Sequence, residues 1–278
     1  MSRNLLLYDE YQIKKIKKIR FKLSVIFQRY LQEITFKNSS KIIFLSKHAK
    51  NIVLKKFEFC HSKSTTIIHH GADNYPNIVN RKHRRIEECN HLNPFKILYI
   101  SPFYAYKNHE NLIKAVQLIA ENFEVQLTLI GDFPDKKSKE KFNRLFQQLN
   151  SDYQGLIQHI ENIPPVEVYH YYYNSDLFVF PSSTENMPNI LLEAMSTGIP
   201  IAASNIQPMP EFLEEAGLYF NPEDVEDLYI KMTELIVNEN LRNELSKISV
   251  DIAGKYSWKN TSKQTFKALT TLKKADVN

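Results

Sequence analysis

Glycine is scarce in this chain: six in 278 residues, and none before Gly71. Loops that cradle phosphate need closely spaced glycines where a strand turns into a helix, so the first 70 residues hold no loop of that kind. Cysteine is scarcer still. Cys60 and Cys89 are too few for a disulfide framework and fit a reducing, cytoplasmic setting. No run reaches the roughly 18 apolar residues that cross a bilayer, and the N-terminus lacks a signal-peptide core. There is no Asp-x-Asp pair to hold a divalent cation. His61, His69, His70, His83 and His91 follow no usual zinc spacing, so no metal site is expected. Internal repeats and low-complexity tracts are absent as well.

Charge is present but unevenly placed. Residues 1–85 carry 19 Lys/Arg against 5 Asp/Glu, a net +14; the remainder carries 17 against 26, a net −9, within an overall +5. The basic excess is concentrated around Lys14, Lys15, Lys17, Lys18, Arg20 and Lys22. Among these cations Ile13, Ile16, Leu23, Ile26, Phe27, Tyr30, Leu31 and Ile34 recur at helical spacing. Two readings stand open for residues 13–34. The helix lies on an anionic membrane surface, or it packs its apolar face on the acidic half and leaves its lysines in water. A basic chain also invites a nucleic-acid reading, but the acidic second half and the lack of a recognisable binding motif argue against it.

The most informative stretch runs from Asp176 to Ser204. Leu177 to Phe180 is a short continuous apolar run, as in a strand buried on both faces of a parallel sheet. Pro188 suits a first helical position, Gly198 with Pro200 is a helix stop, and Ile201 to Ser204 resumes strand character. The unit is strand, loop, helix, strand. Glu185 falls in the loop and Glu193 in the helix, at the carboxyl end of a strand, where open α/β sheets bind ligands. The first-turn amides of such a helix attract phosphate, while carboxylates accept hydrogen bonds from hydroxyls. A diphosphate that also carries polyols satisfies both, and a nucleotide-sugar is such a ligand. Chance spacing of two glutamates is the plain alternative. A second strand, Lys96 to Ile100, leads through a loop holding Lys107 to a helix with Asn108 as its cap and Leu112, Ile113, Val116, Leu118 and Ile119 as apolar positions. Lys107 therefore sits on the same sheet edge as Glu185, where it can neutralise a departing diphosphate. Gly131, after Leu127 to Ile130, allows close backbone approach to a ligand or a positive φ; turn geometry explains it equally well.

These pieces resemble, in order and spacing, the C-terminal half of the retaining GT-B "group 1" glycosyltransferases. The resemblance runs from Phe95 to about Trp258. It rests on Glu185-x7-Glu193 ahead of Gly198-Ile-Pro200, on Lys96 to His109, on Leu127 to Asp132, on Phe220 to Asp224 and on Tyr256-Ser-Trp258, with Ile68 to Asp73 as the interdomain turn. It implies an α/β fold, the Rossmann-like parallel sheet of a GT-B donor domain, with a truncated N-terminal remnant. The implied division is residues 1–75 as that remnant with its basic amphipathic helix, 76–94 as linker, 95–258 as the nucleotide-sugar-binding domain and 259–278 as a C-terminal helix.

The resemblance also implies an activity: transfer of a sugar, with retention, from a nucleotide-sugar to a saccharide or lipid-linked acceptor in surface polysaccharide synthesis. Glu185 would hold donor-sugar hydroxyls and Glu193 the ribose. Lys107 and the amides around Met187 to Asn189, beside Asn186 and Pro188, would stabilise the leaving diphosphate, with no metal and no cofactor. Two departures keep the donor unnamed: Ser101-Pro102 stands where many members have Gly-Arg, and Asn186-Met187-Pro188 where many have an aromatic and a glycine. The implied location is the cytoplasm or the inner face of the cell membrane, with a partner chain or a dimer supplying the acceptor lobe. A non-catalytic nucleotide-sugar-binding protein is the alternative, and an epimerase on the same fold is a further one.

Overall fold

Short apolar runs become strands here because each is too brief for a helix and can be covered on both faces. The computed structural model describes residues 5–15, 19–72, 81–148 and 155–271. A 3-10 turn, Leu5–Tyr8, precedes helices α1 (Glu10–Lys15) and α2 (Ile19–Lys37). Strand β1 (Lys41–Phe44), helix α3 (Lys47–Lys56) and strand β2 (Ser64–Ile67) follow. The larger unit then alternates: β3 (Phe95–Ile100), α4 (His109–Ala120), β4 (Val125–Ile130), α5 (Lys136–Gln148), β5 (Ile157–Ile160), α6 (Pro165–Tyr173), β6 (Leu177–Phe180), α7 (Asn189–Ser196) and β7 (Ile201–Ser204). It closes with α8 (Met209–Leu213), β8 (Leu218–Phe220), α9 (Val225–Val237), α10 (Glu239–Ala253) and α11 (Trp258–Thr270).

The larger sheet has six strands in the order β5-β4-β3-β6-β7-β8, and every neighbouring pair is parallel. Chain order reverses between β3 and β6, which pair through Ile97 with Leu177 and Leu98 with Phe178. Such a reversal opens a crevice, because the connections leave the two strands toward opposite faces. β6 is buried along its whole length and β3 at all positions but Lys96. One apolar core includes Leu98, Leu129, Phe178, Leu191, Met195 and Leu235.

The smaller unit is a two-stranded parallel sheet, β1 beside β2, with Lys41 opposite Ser64 and Phe44 opposite Ile67. Its own core gathers Leu5, Leu7, Val25, Phe36, Phe44, Val53 and Phe57. The two units join where the chain after β2 meets the start of α11. Thr261 donates its hydroxyl to His69 O at 2.7 Å, and Ala72 N donates to Tyr256 O at 3.2 Å. A Cβ on Gly71 would lie 2.1 Å from Trp258 N, so only glycine lets the strands of chain cross there. A second junction is the N-terminus of α3, whose Lys47 and His48 amides donate to the Glu211 carboxylate at 2.6 and 2.9 Å.

Several sequence expectations need correction or relocation. The basic amphipathic segment is helical over Glu10–Lys15 and Ile19–Lys37; Ile16, Lys17 and Lys18 lie outside the described residues. Its apolar residues from Leu23 to Ile34 face solvent instead of packing on the acidic half, because α2 turns Val25, Arg29, Gln32 and Phe36 toward its own unit. Asp73 and residues 74–80 of the expected turn and linker also fall outside the described residues. From residue 81 onward the chain is bonded to the larger unit: Arg84 forms an ion pair with Asp176, and Arg81 donates to Tyr172 O at 2.9 Å.

Candidate active site

Two loops leave the strands that flank the reversal, and each carries one half of the site. Ser101 to Asn108 follows β3 and ends in a short 3-10 turn, Ala105–Lys107. Pro181 to Pro188 follows β6 and leads into α7. Asn108 stitches them together. Its amide nitrogen donates to Pro181 O and Ser183 Oγ, both at 2.7 Å, while Ser183 N donates to Tyr106 O at 2.8 Å. Sequence spacing made Asn108 a helix cap. It does precede α4, but in the left-handed region (φ 52°) and with no side-chain capping bond, since its amide is spent on the neighbouring loop.

The stitched loops bring Lys107 and Glu185 into an ion pair, Nζ to Oε1, across the reversal. Their side chains are only 9% and 15% exposed. Lys107 Nζ also lies 5.4 Å from the Tyr106 ring centre and 5.6 Å from that of Phe180, faces that favour a cation. Tyr99, under the loop, donates its hydroxyl to Lys107 O at 3.0 Å. Burial, and secondarily the Glu185 carboxylate, hold the Tyr106 phenol above its ordinary range. Burial also keeps His109 neutral, its pKa pushed down to about 3; the ring stacks on Phe103 at 3.9 Å and its Nε2 meets Ser101 O at 3.3 Å.

Helix α7 forms as the residues suggest: Leu191, Leu192, Ala194 and Met195 are buried, and Gly198, at φ 66°, ends it with a bond to Met195 O. Pro188 is the residue before the helix instead of its first residue, a shift of one position. Glu193 lies about one turn in and is partly exposed. The loop side chains go elsewhere. His70 N donates to Met187 Sδ at 3.0 Å, and His70 Nδ1 meets Asn189 Oδ1 at 3.2 Å, so Met187 and Asn189 face the junction of the two units. Asn186 is buried. Of the backbone amides expected to meet a diphosphate, Pro188 has none, and Asn189 N is engaged with Met187 O at 3.0 Å. Gly131 (φ 150°) has a structural reason of its own: a Cβ there would lie 2.1 Å from Ser101 O. The structure thus brings Lys107 and Glu185 together and places Glu193 on α7, about one turn from the loop that carries Glu185, while Met187 and Asn189 contact His70 and Gly131 packs against Ser101.

Two contacts at the site, and one that ties the smaller unit to the larger, were not visible in the sequence. Asp9 accepts the hydroxyl of Thr184, the residue before Glu185, at 2.5 Å. His70 presses on the Glu185 loop and stacks on Trp258 at 5.3 Å. Glu223 receives Tyr11 at 2.6 Å and Lys15 at 2.5 Å from the smaller unit. These pairs are 100 or more residues apart, beyond any local pattern. The histidines disperse to separate partners, His69 to Leu45 O and His83 to Ser246, and no group of three candidate metal ligands occurs among the described residues.

Residues 81–250 match the family described as "Glycosyl transferases group 1". The chain is similar to O-antigen chain mannosyltransferase B of Escherichia coli, 27% identical over 175 residues that make up 63% of this chain and 45% of that protein. It spans about half the length of the curated relatives it matches. Sucrose-phosphate synthase from Thermosynechococcus elongatus superposes with a TM-score of 0.75 at 20% identity, over 99% of this chain and 67% of that one. HepE from Anabaena, solved with UDP and glucose, gives 0.69 at 17% identity, over 84% of this chain and 63% of that one. The parallel six-strand sheet is that of the GT-B fold.

Proposed function

Because the chain belongs to the glycosyl transferases group 1 family, we propose that its crevice at the strand reversal holds a nucleotide-sugar and transfers the sugar, with retention, to a saccharide or lipid-linked saccharide of a surface polysaccharide. The observation that carries this reading is the Lys107–Glu185 pair, drawn from the loops after β3 and β6 at the place where doubly wound sheets bind ligands. A hexosyl donor suits Glu185, whose carboxylate accepts sugar hydroxyls, and Glu193 accepts those of the ribose. Binding of the diphosphate draws the Lys107 ammonium from Glu185 toward phosphate oxygens. As the bond between the anomeric carbon and the diphosphate oxygen breaks, its electron pair goes to that oxygen, and Lys107 stabilises the charge as it grows. The acceptor hydroxyl then bonds the anomeric carbon from the face that the diphosphate leaves, and its proton passes to the departing phosphate.

Lys107 supplies the cation in this scheme, in keeping with the absence of an Asp-x-Asp pair from the sequence. Asn186, Met187, Pro188, Asn189 and Gly131 shape the pocket walls. The reading places the reaction in the cytoplasm or at the inner membrane face, with the acceptor presented by a lobe that a partner chain or second subunit supplies. No helix among the described residues is long and apolar enough to cross a membrane. The similarity to an O-antigen mannosyltransferase supports a polysaccharide acceptor. The test is radiolabel transfer and hydrolysis with a panel of nucleotide-sugars, comparing the wild-type chain with Glu185→Ala. The reading expects one donor to be turned over and Glu185→Ala to lose that turnover while keeping its circular dichroism; equal turnover by the variant would refute it.

A further inference from the structure

Helix α2 wears its apolar face outward. Toward its own unit it turns Arg29, which donates to Leu7 O, and Gln32, which accepts from the Tyr8 hydroxyl. Toward solvent it turns two adjacent rows at four-residue spacing. Ile19, Leu23, Phe27 and Leu31 form one row; Ile26, Tyr30 and Ile34 form the other. These side chains are between 38% and 75% exposed. An ordinary surface helix has the opposite arrangement, with its apolar stripe on the core. The exposed stripe offers an area on the order of 800 Å², about the share each partner gives to a stable interface and more than the largest apolar patch of a typical monomer.

We propose that this face is a homodimer interface, with α2 packing antiparallel against α2 of a second copy. Three observations favour a second copy as the occupant. The stripe is self-complementary about the point between Ile26 and Phe27: an antiparallel partner sets Ile19 against Ile34, Leu23 against Tyr30, and Ile26 against Phe27 at the twofold axis. The two rows leave a groove between them that accepts a row from the other copy, the geometry of helix-on-helix packing. Finally, the exposed polar residues between Leu23 and Phe36 are Ser24, Gln28 and Thr35, all uncharged. Two copies therefore meet there without repulsion, and Lys37, paired with Glu33, lies at the end of the stripe. The interface lies outside the Lys107–Glu185 crevice and does not depend on its chemistry.

Light scattering on the full chain at micromolar concentration tests this. The expected mass is twice 32.6 kDa, falling to the single-chain value in Phe27→Asp with Leu31→Asp. Phe266→Asp, on α11 and 71% exposed but outside the stripe, leaves the dimer intact. Should the double variant fold poorly, cysteine pairing in a Cys89→Ser background gives a second readout. Phe27→Cys, near the axis, oxidises to a covalent dimer, and Ile19→Cys alone does not. A single-chain mass for the wild type at every concentration overturns the proposal, as a lobe-completing α/β partner would give. So does a dimer insensitive to Phe27→Asp, or a monomer whose binding to phosphatidylglycerol vesicles that substitution abolishes.

Discussion

Replacing Lys107 with methionine removes one charge from a pair whose side chains are 9% and 15% exposed, and the cost follows from what stays behind. Breaking a fully buried pair by deleting one partner costs about 3–5 kcal/mol, because the other charge is stranded; an exposed pair is worth about 0.2–1 kcal/mol. Glu185 keeps a small exposed fraction that water can reach, so Lys107→Met should lower folding stability by about 2–3 kcal/mol. Glu185→Gln keeps an acceptor for the ammonium and should cost about 1–2 kcal/mol. The double variant strands nothing, so it should cost less than the two singles together by about 1–2 kcal/mol. Urea unfolding of the four proteins, followed by circular dichroism, measures this coupling. A value within about 0.5 kcal/mol of zero would mean that the two groups do not meet, and the site as described would fall. Catalysis gives the second readout: Lys107→Met should lower kcat by about 100- to 1,000-fold, more than it alters KM.

Gly131→Ala should be strongly destabilising, by about 2–4 kcal/mol in a thermal or urea melt, because its Cβ would sit 2.1 Å from Ser101 O. Wild-type stability in that variant would contradict the close approach of the two loops. Acid should weaken the fold well above the carboxylate range. Burial first, then Arg81 and Arg242, pushes His83 down to about 4, and burial foremost pushes His109 down to about 3. The unfolded chain binds those protons near pH 6.5, so their stabilising share is complete above that pH and is lost as the pH falls toward the folded values. At pH 5 the loss is about 2 kcal/mol per histidine. His109→Phe, which keeps the stacking on Phe103, should flatten the pH dependence of urea midpoints between pH 6.5 and 5; an unchanged slope would show that His109 is not buried neutral.

Much of the site was readable because its parts are local. The apolar run Leu177 to Phe180 can only be a covered strand, Gly198 and Pro200 can only end a helix, and the loop between them carries Glu185 to the ligand edge. The Lys96-to-Ile100 strand does the same for Lys107, so their common edge followed from two local patterns. What closes the gap between them did not. Asn108 looks like a cap because asparagines often are; its bonds to Pro181 and Ser183 depend on β3 and β6 being neighbours, a tertiary fact. The grip of Asp9 on Thr184 spans 175 positions. Periodicity in α2 correctly grouped Leu23, Ile26, Phe27 and Tyr30 on one face but carries no information on which way that face points. Gly131 was open to two readings, close approach to a ligand or turn geometry, and the atom a side chain there would meet is Ser101 O, a tertiary neighbour.

Isothermal titration of the full chain with uridine and guanosine diphosphate sugars tests the central claim most directly, with Glu193→Ala and Lys107→Met run in parallel. One nucleotide-sugar should bind with a one-to-one stoichiometry, and each substitution should weaken it at least about tenfold, the loss of one charge-assisted contact. No heat from any donor, or equal affinity in both variants, would contradict a sugar nucleotide held between the loops of β3 and β6.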